Sequence, residues 1–211
     1  MKVIFLHGLG QTADAWEKVT DRMASSDYLT MSLFKPISRT DHLTIEKLHL
    51  ILSQELDRIR EPYILCGLSL GAILALKQAI TPSLNLKGLV LSGAQFEAPN
   101  SGLLVFQNLI FKFLPRRTFT KLGITKRQAI DLTDSLRNLH LTSELSKMAL
   151  PALVICGKRD RANLKASHRL EGLLSDGELV IIPNAKHELN LENPLEFAQA
   201  LNRFLNKVNQ K

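Results

Sequence analysis

A G-x-S-x-G sequence occupies residues 67–71, between the apolar run 63–66 and a helix-like run. In this context the pattern is typical of a sharp strand-to-helix turn that presents a serine hydroxyl as a nucleophile. The turn is too tight for side chains two places either side of the serine, which explains Gly67 and Gly71. Ser69 is therefore the candidate nucleophile, and a serine nucleophile indicates acyl-transfer chemistry.

A serine nucleophile needs a base, and the base needs an acid that orients it. Asp160 comes a few residues after the apolar run 152–156, and His187 comes just beyond the last apolar run, 179–182. Both side chains thus follow the ends of predicted strands, as Ser69 does. The spacing predicts a Ser69, Asp160 and His187 triad.

These residues need a sheet to position them. Short β-type runs alternate with helical patterns along the chain, which is typical of the α/β class with a parallel sheet covered by helices on both faces. We predict a mostly parallel, six-stranded sheet. The predicted strands are 3–6, 30–34, 63–66, 89–92, 152–156 and 179–182.

With these features, the chain resembles the α/β-hydrolase family over nearly its whole length. The sequence His-Gly-Leu-Gly at 7–10 looks like the H-G-x-G loop that follows the first central strand in this family. The resemblance implies an oxyanion hole formed by the backbone N–H groups of Leu9 and Leu70. It also implies that His7 and Gly8 order the loop.

The resemblance extends to the order of the catalytic residues along the chain. Nucleophile, acid and base follow one another in this family, as Ser69, Asp160 and His187 do here. Some members place the acid after the fourth strand, where Glu97 stands in this sequence. Asp160 is preferred because the G-x-x-D pattern at 157–160 matches the commoner arrangement, and Glu97 is the second candidate.

The length fits one domain, so residues 1–211 are expected to form a single α/β-hydrolase domain. The alternation is interrupted at about 95–148, where family members insert a helical lid. The apolar segment 103–114 predicts a first lid helix. A second is predicted over 125–137, with Gln128 completing a capping box.

Residues 187–205, near the end of the chain, are predicted to form the closing helix of the fold. Asn193 is the expected N-cap, and Pro194 stands at the first helical position. Glu196 completes a capping-box pattern with Asn193. We therefore expect the segment after the candidate base to contain the closing helix, with its N-terminus at Pro194.

The chain is basic, with a formal net charge of +7. Residues 112–128 hold six basic side chains and no acidic one: Lys112, Arg116, Arg117, Lys121, Lys126 and Arg127. Such a lid could attract a small anionic substrate or make weak contact with an anionic membrane surface, and it could equally be a solvated face. Nucleic acid is not expected as a partner, because the run lacks interleaved stacking aromatics.

Other classes of site are excluded by what the sequence lacks. Metal-binding spacings are absent, so we expect neither a metal nor a cofactor. Cys66 and Cys156 each end a predicted buried strand, which favours free structural thiols and a cytoplasmic protein. Apolar runs fall short of the roughly 20 residues that span a membrane.

Together the patterns predict a serine hydrolase of the carboxylesterase type that cleaves a small ester or thioester through an acyl-enzyme on Ser69. Two alternatives stay open. The same triad could perform a non-hydrolytic elimination on a polyanionic substrate, as in the family's small menaquinone-pathway synthases. The domain could also be a ligand sensor without activity. The patterns leave the acyl-chain length and the oligomeric state undetermined.

Overall fold

The computed structural model of the protein describes residues 1–81, 83–98 and 114–210. Its six strands form one sheet in the order β2-β1-β3-β4-β5-β6, and each pairing is parallel. This confirms the predicted six-stranded sheet. The strands are β1 Lys2–Leu6, β2 Tyr28–Met31, β3 Tyr63–Leu68, β4 Leu86–Ser92, β5 Ala152–Gly157 and β6 Gly177–Ile182.

Helices and short 3₁₀ turns connect the strands. The helices are α1 Glu17–Thr20, α2 Ile45–Leu56, α3 Leu70–Ala79, α4 Arg116–Lys121, α5 Lys126–Ser135, α6 Thr142–Leu145, α7 Arg161–Leu173, α8 Leu189–Glu192 and α9 Pro194–Asn209. The 3₁₀ turns are Ala13–Trp16 and Leu136–Asn138.

The core lies in two layers, one on each face of the sheet. Successive residues of a strand point to opposite faces, so Ile4 and Leu6 of β1 join one apolar cluster while Val3 and Phe5 join the other. Helices α2, α3 and α7 cover the first face, and α1 and α9 cover the second. The predicted helical cover on both faces is confirmed.

The carboxyl ends of the central strands lie side by side at one edge of the sheet. Leu6 at the end of β1 pairs with Gly67 of β3, and Leu68 pairs with Ser92 of β4. Gly157 at the end of β5 pairs with Ile182 of β6. The loops that carry the candidate site residues therefore all leave the sheet at the same edge.

The predicted second strand, 30–34, was wrong in its position. The strand is Tyr28–Met31, because its partner β1 ends at Leu6, which pairs with Met31. Leu33 and Phe34 are buried in the loop that follows. Their apolar side chains reflect contact with the core rather than strand pairing.

The closing helix α9 begins at Pro194 with Asn193 as its N-cap residue, as predicted, and the short helix α8 precedes it. Asn193 separates α8 from α9 with φ −134° and ψ 54°. Proline lacks an N–H and disfavours helical backbone in the residue before it, so Pro194 begins a new helix. The Asn193 side chain makes no capping hydrogen bond, and the predicted capping box with Glu196 is absent.

Between β4 and β5 the described residues form the helical segment α4 to α6. Helix α5 begins with the predicted capping box: the Gln128 N–H donates to Thr125 Oγ1, and the Thr125 N–H donates to Gln128 Oε1. The predicted lid helix over 103–114 falls, apart from Leu114, outside the described residues. In the part of the chain that is described, none of the helices is both long and apolar enough to cross a membrane.

Candidate active site

Ser69 lies between β3 and α3 in a strained turn. Its backbone has φ 53° and ψ −111°, a conformation that costs a residue with a side chain free energy. A Cβ atom at position 67 would lie 2.4 Å from the Gly71 carbonyl group, and one at position 71 would lie 2.1 Å from the Leu6 oxygen. The turn can therefore form only with glycine at both positions. The Ser69 N–H donates to the Ser92 carbonyl at 2.8 Å, which ties the turn to β4.

An acid–base pair lies at the ends of β5 and β6. His187 Nδ1 is 2.7 Å from Asp160 Oδ2. The Asn163 amide donates to both carboxylate oxygens of Asp160 at 2.9 Å. Because Asp160 is an acceptor, Nδ1 of His187 carries the hydrogen. Nε2 is then the ring nitrogen that can accept a proton.

The pKa values of this pair are shifted in opposite directions. Burial alone would raise the pKa of Asp160, but the hydrogen bonds from His187 and Asn163 outweigh it and lower the pKa below its ordinary value. The hydrogen bond to Asp160 raises the pKa of His187 against the opposing effect of burial. The pair therefore stabilises the imidazolium form of His187.

Two residues that the sequence analysis missed hold this pair in place. Asn163 stands three residues after Asp160, on the first turn of α7, and satisfies both oxygens of the carboxylate. Gly93 follows β4 with φ +58°. A Cβ atom on Gly93 would lie 2.7 Å from His187 Cε1 and 2.9 Å from Nδ1. The sequence feature that could have indicated Gly93 is its place directly after the predicted strand 89–92.

The loop after β1 is ordered by His7. The Leu33 N–H donates to His7 Nε2 at 3.1 Å, so Nδ1 carries the hydrogen and donates to the Gly8 carbonyl at 2.8 Å. Burial lowers the pKa of His7, which favours the neutral ring that this pattern requires. Leu9 follows in this loop and lines the cavity described below.

Leu70 is the first residue of α3. The N–H groups of a helix's first turn have no acceptor within the helix and attract negative charge. The Leu9 N–H thus lies in the loop after β1 and the Leu70 N–H at the start of α3, both at the same edge of the sheet. They stay the proposed pair of oxyanion donors.

Ser69 and His187 line one cavity of about 330 Å³. Its remaining wall is mainly apolar, because the helical segment after β4 contributes Leu114, Phe119, Leu122 and Ala129 and the strand side contributes Leu9 and Leu68. Lysine and arginine are absent from its described lining residues. Such a cavity fits a small, uncharged group next to the candidate nucleophile.

Glu188 also lines the cavity, directly after the candidate base. Its Oε1 accepts a hydrogen bond from Gln11 Nε2 at 3.0 Å, and the buried Asn190 side chain donates to Gln11 Oε1 at 3.0 Å. This network joins the loop after β1 to the loop after β6. It also places the Glu188 carboxylate in the same cavity as Ser69 and His187.

Glu97, the second candidate acid, is engaged elsewhere. The Arg169 guanidinium donates to both of its oxygens, at 2.7 and 2.8 Å, and Thr142 donates to Oε1 at 2.8 Å. The hydrogen bonds from Arg169 and Thr142 lower the pKa of Glu97. The acid in contact with His187 is thus Asp160.

Among the residues described, His, Cys, Asp and Glu side chains form no cluster of three or more that could hold a metal ion.

Comparison with known proteins gives relatives that match along almost their whole length. The chain is 25% identical to a putative 2-succinyl-6-hydroxy-2,4-cyclohexadiene-1-carboxylate synthase of Haemophilus influenzae, covering 99% of this chain and 98% of that protein. Similar solved structures include MenH from S. aureus, with a TM-score of 0.80, 14% identity and coverage of 99% and 94% of the two chains.

An enol-lactonase from Burkholderia xenovorans has a TM-score of 0.81 at 18% identity, over 97% of this chain and 91% of that chain. An esterase from Thermogutta terrifontis has a TM-score of 0.78 at 18% identity, over 99% and 90%. These solved structures share the fold, although they differ in the activities that their names give. The family model described as the alpha/beta hydrolase family matches residues 3–200. Since this match spans nearly the whole chain, the protein belongs to the alpha/beta hydrolase family.

Proposed function

We propose that this protein is a serine hydrolase that cleaves a small ester or thioester through an acyl-enzyme on Ser69. One observation carries the proposal: Ser69 and His187 line the same mainly apolar cavity, while Asp160 holds the far side of the imidazole. This is the arrangement of nucleophile, base and orienting acid that acyl transfer requires.

The proposed reaction has two halves. His187 Nε2 takes the hydroxyl proton as Ser69 Oγ attacks the carbonyl carbon, and the Leu9 and Leu70 N–H groups stabilise the oxyanion. The tetrahedral intermediate collapses, and the leaving alcohol or thiol takes the proton from His187. Water then attacks the acyl carbon as His187 takes one of its protons. The bond between the acyl carbon and Ser69 Oγ breaks, Oγ takes the proton from His187, and the acid is released.

The cavity favours an uncharged acyl group. Its described wall is formed mainly by leucine, phenylalanine and alanine side chains, and Glu188, next to His187, contributes a carboxylate. A substrate with several carboxylates would meet this carboxylate without a cation among the described lining residues to balance it. We therefore rank ester or thioester hydrolysis above chemistry on a polyanion.

A second candidate is the non-hydrolytic elimination. The full-length similarity to a protein named as a putative cyclohexadiene-carboxylate synthase favours it. In that reaction His187 would abstract a proton from carbon, and no acyl-enzyme would form on Ser69.

Hydrolysis of p-nitrophenyl esters of increasing acyl length separates the two candidates. We expect saturable turnover with short chains and a decline once the acyl group exceeds the cavity of about 330 Å³. Absence of ester turnover by the folded protein, together with elimination from a polycarboxylate substrate, would instead establish the second candidate.

The pH dependence of kcat/KM should report the titration of His187. Its pKa is raised above the ordinary 6.5 by the hydrogen bond to Asp160, so the protonated, inactive form persists to higher pH than in an isolated histidine. We expect kcat/KM to rise with pH and to reach half its plateau above 6.5. A half-plateau clearly below this value would contradict the proposed role of the pair.

Gly93→Ala should lower turnover by roughly 10²-fold. The new methyl group would overlap the His187 ring, at the 2.7 Å approach to Cε1, and would displace the base. The measurement is kcat for a short-chain ester.

Gly123→Ala is the matched control for this change. Gly123 also has a positive φ, of +83°, but a Cβ there would approach nothing closer than 3.8 Å. Both variants should lose some stability because both strain the backbone. Equal loss of turnover in the two would show that backbone strain, rather than displacement of His187, is responsible.

A further inference from the structure

A second cavity, of about 530 Å³, lies on another side of the helical segment between β4 and β5. Basic residues from three places in the chain line it: Arg39 in the loop after β2, Arg116 at the start of α4, and Lys126 and Arg127 at the start of α5. Acidic residues are absent from its described lining. We call these four residues and the space between them the basic pocket.

The residues that line this cavity differ in exposure. Thr125, Lys126 and Ile130 are half-buried, whereas the three arginines are exposed. Like charges placed close together repel one another, and a bound anion relieves that repulsion. Arginine is also the side chain best suited to phosphate, because its planar guanidinium donates two parallel hydrogen bonds.

Two neighbouring acids, Asp131 and Asp41, do not neutralise this group. Asp131 Oδ2 is 3.8 Å from Arg127 Nε, and it also lies 3.1 Å from His42 Nδ1. Asp131 and Asp41 line a neighbouring cavity that Arg39 and Arg127 also line, and neither acid lines the basic pocket. Asp41 is paired with Lys47 at 2.9 Å. Two carboxylates, one of them paired with another cation, leave the four basic residues with a net positive charge.

The basic pocket is separate from the candidate active site but shares its walls. Phe119 of α4 and Ala129 of α5 line the cavity that contains Ser69 and His187, which we call the catalytic cavity. Arg116 and Lys126 of the same two helices line the basic pocket. An anion held in the basic pocket would therefore fix the helices that form the wall of the catalytic cavity.

We propose that the basic pocket is a binding site for a multiply charged phosphate group. The group could belong to a soluble phosphate ester or to the phosphomonoester headgroup of a lipid, and the chemistry of recognition is the same for both. This binding is independent of the reaction at Ser69, so a failure of the proposed hydrolase activity would leave it unaffected.

Calorimetric titration of the intact protein with inorganic pyrophosphate tests the proposal. We expect saturable binding that Arg116→Glu weakens by at least roughly tenfold at about 0.15 M salt. Arg117→Glu is the matched control, since it makes the same charge change one residue along but lies outside the pocket lining. Equal affinity in the two variants, or no saturable binding to the wild type, would overturn the proposal.

Two additions complete the test. Arg39→Glu should weaken binding as Arg116→Glu does, because both residues line the pocket. Circular dichroism and the melting temperature establish that each variant is folded.

Co-sedimentation with phosphatidic acid vesicles identifies whether the phosphate group belongs to a lipid or to a soluble ester. Vesicle binding that pyrophosphate displaces would assign the site to a lipid headgroup, and pyrophosphate binding without vesicle binding would assign it to a soluble ester. Vesicle binding that neither pyrophosphate nor Arg116→Glu affects would contradict the pocket.

Discussion

Replacing Ser69 with alanine is expected to lower ester turnover by at least roughly 10³-fold. The change removes the oxygen that forms the acyl-enzyme while leaving the apolar cavity and the His187–Asp160 pair in place. It should lower kcat far more than it changes KM, because the cavity wall that binds the acyl group is intact. Steady-state kinetics with the preferred p-nitrophenyl ester measure both parameters.

Ser53→Ala provides a matched control for the Ser69 change. Ser53 lies within α2 and does not line the catalytic cavity, so its loss should leave turnover near the wild-type value. Alanine is also a favourable residue in a helix interior. Retention of substantial ester turnover in a folded Ser69→Ala variant would refute the acyl-enzyme mechanism.

Asp160→Asn is expected to lower turnover by roughly 10⁴-fold, as the equivalent change does in serine protease triads. Asp160 accepts hydrogen bonds from His187 and from the Asn163 amide on its two oxygens. An asparagine side chain has only one accepting oxygen, so its NH₂ group would face the donor of either His187 or Asn163. The imidazole would then adopt the tautomer that leaves Nε2 unable to accept the serine proton.

Glu97→Gln is the control for this second prediction. It makes the same acid-to-amide change at the other carboxylate that follows a strand, but Glu97 contacts Arg169 and Thr142 rather than His187. We expect it to cost stability at most and to leave turnover high. A large loss in Glu97→Gln, with Asp160→Asn still active, would reverse the assignment of the acid.

The pH profile of the Asp160→Asn variant gives a further check. The hydrogen bond to Asp160 is the main cause of the raised pKa of His187. Its removal should move the half-plateau of any residual activity to lower pH. A pH profile unchanged from that of the wild type would show that the activity does not depend on the His187–Asp160 pair.

Much of the fold could be predicted because it depends on residues close together in the chain. The α5 capping box joins Thr125 to Gln128 within one helical turn, and the structure has it. The same reasoning failed where tertiary contact decided the outcome. Leu33 and Phe34 look like strand residues but are buried in a loop. Strand β2 ends at Met31, because Met31 pairs with Leu6, the last residue of β1.

By itself, the sequence determined the order of strands and helices and the glycine-flanked turn at Ser69. Those features follow from local backbone sterics and short-range periodicity, which determine the residue types at each position directly. Only the tertiary structure decided that Asp160 rather than Glu97 contacts His187, and that Gly93 leaves room for the imidazole ring. These contacts join separate strand ends, whose distances depend on sheet register and on helix packing. No local pattern encodes such distances.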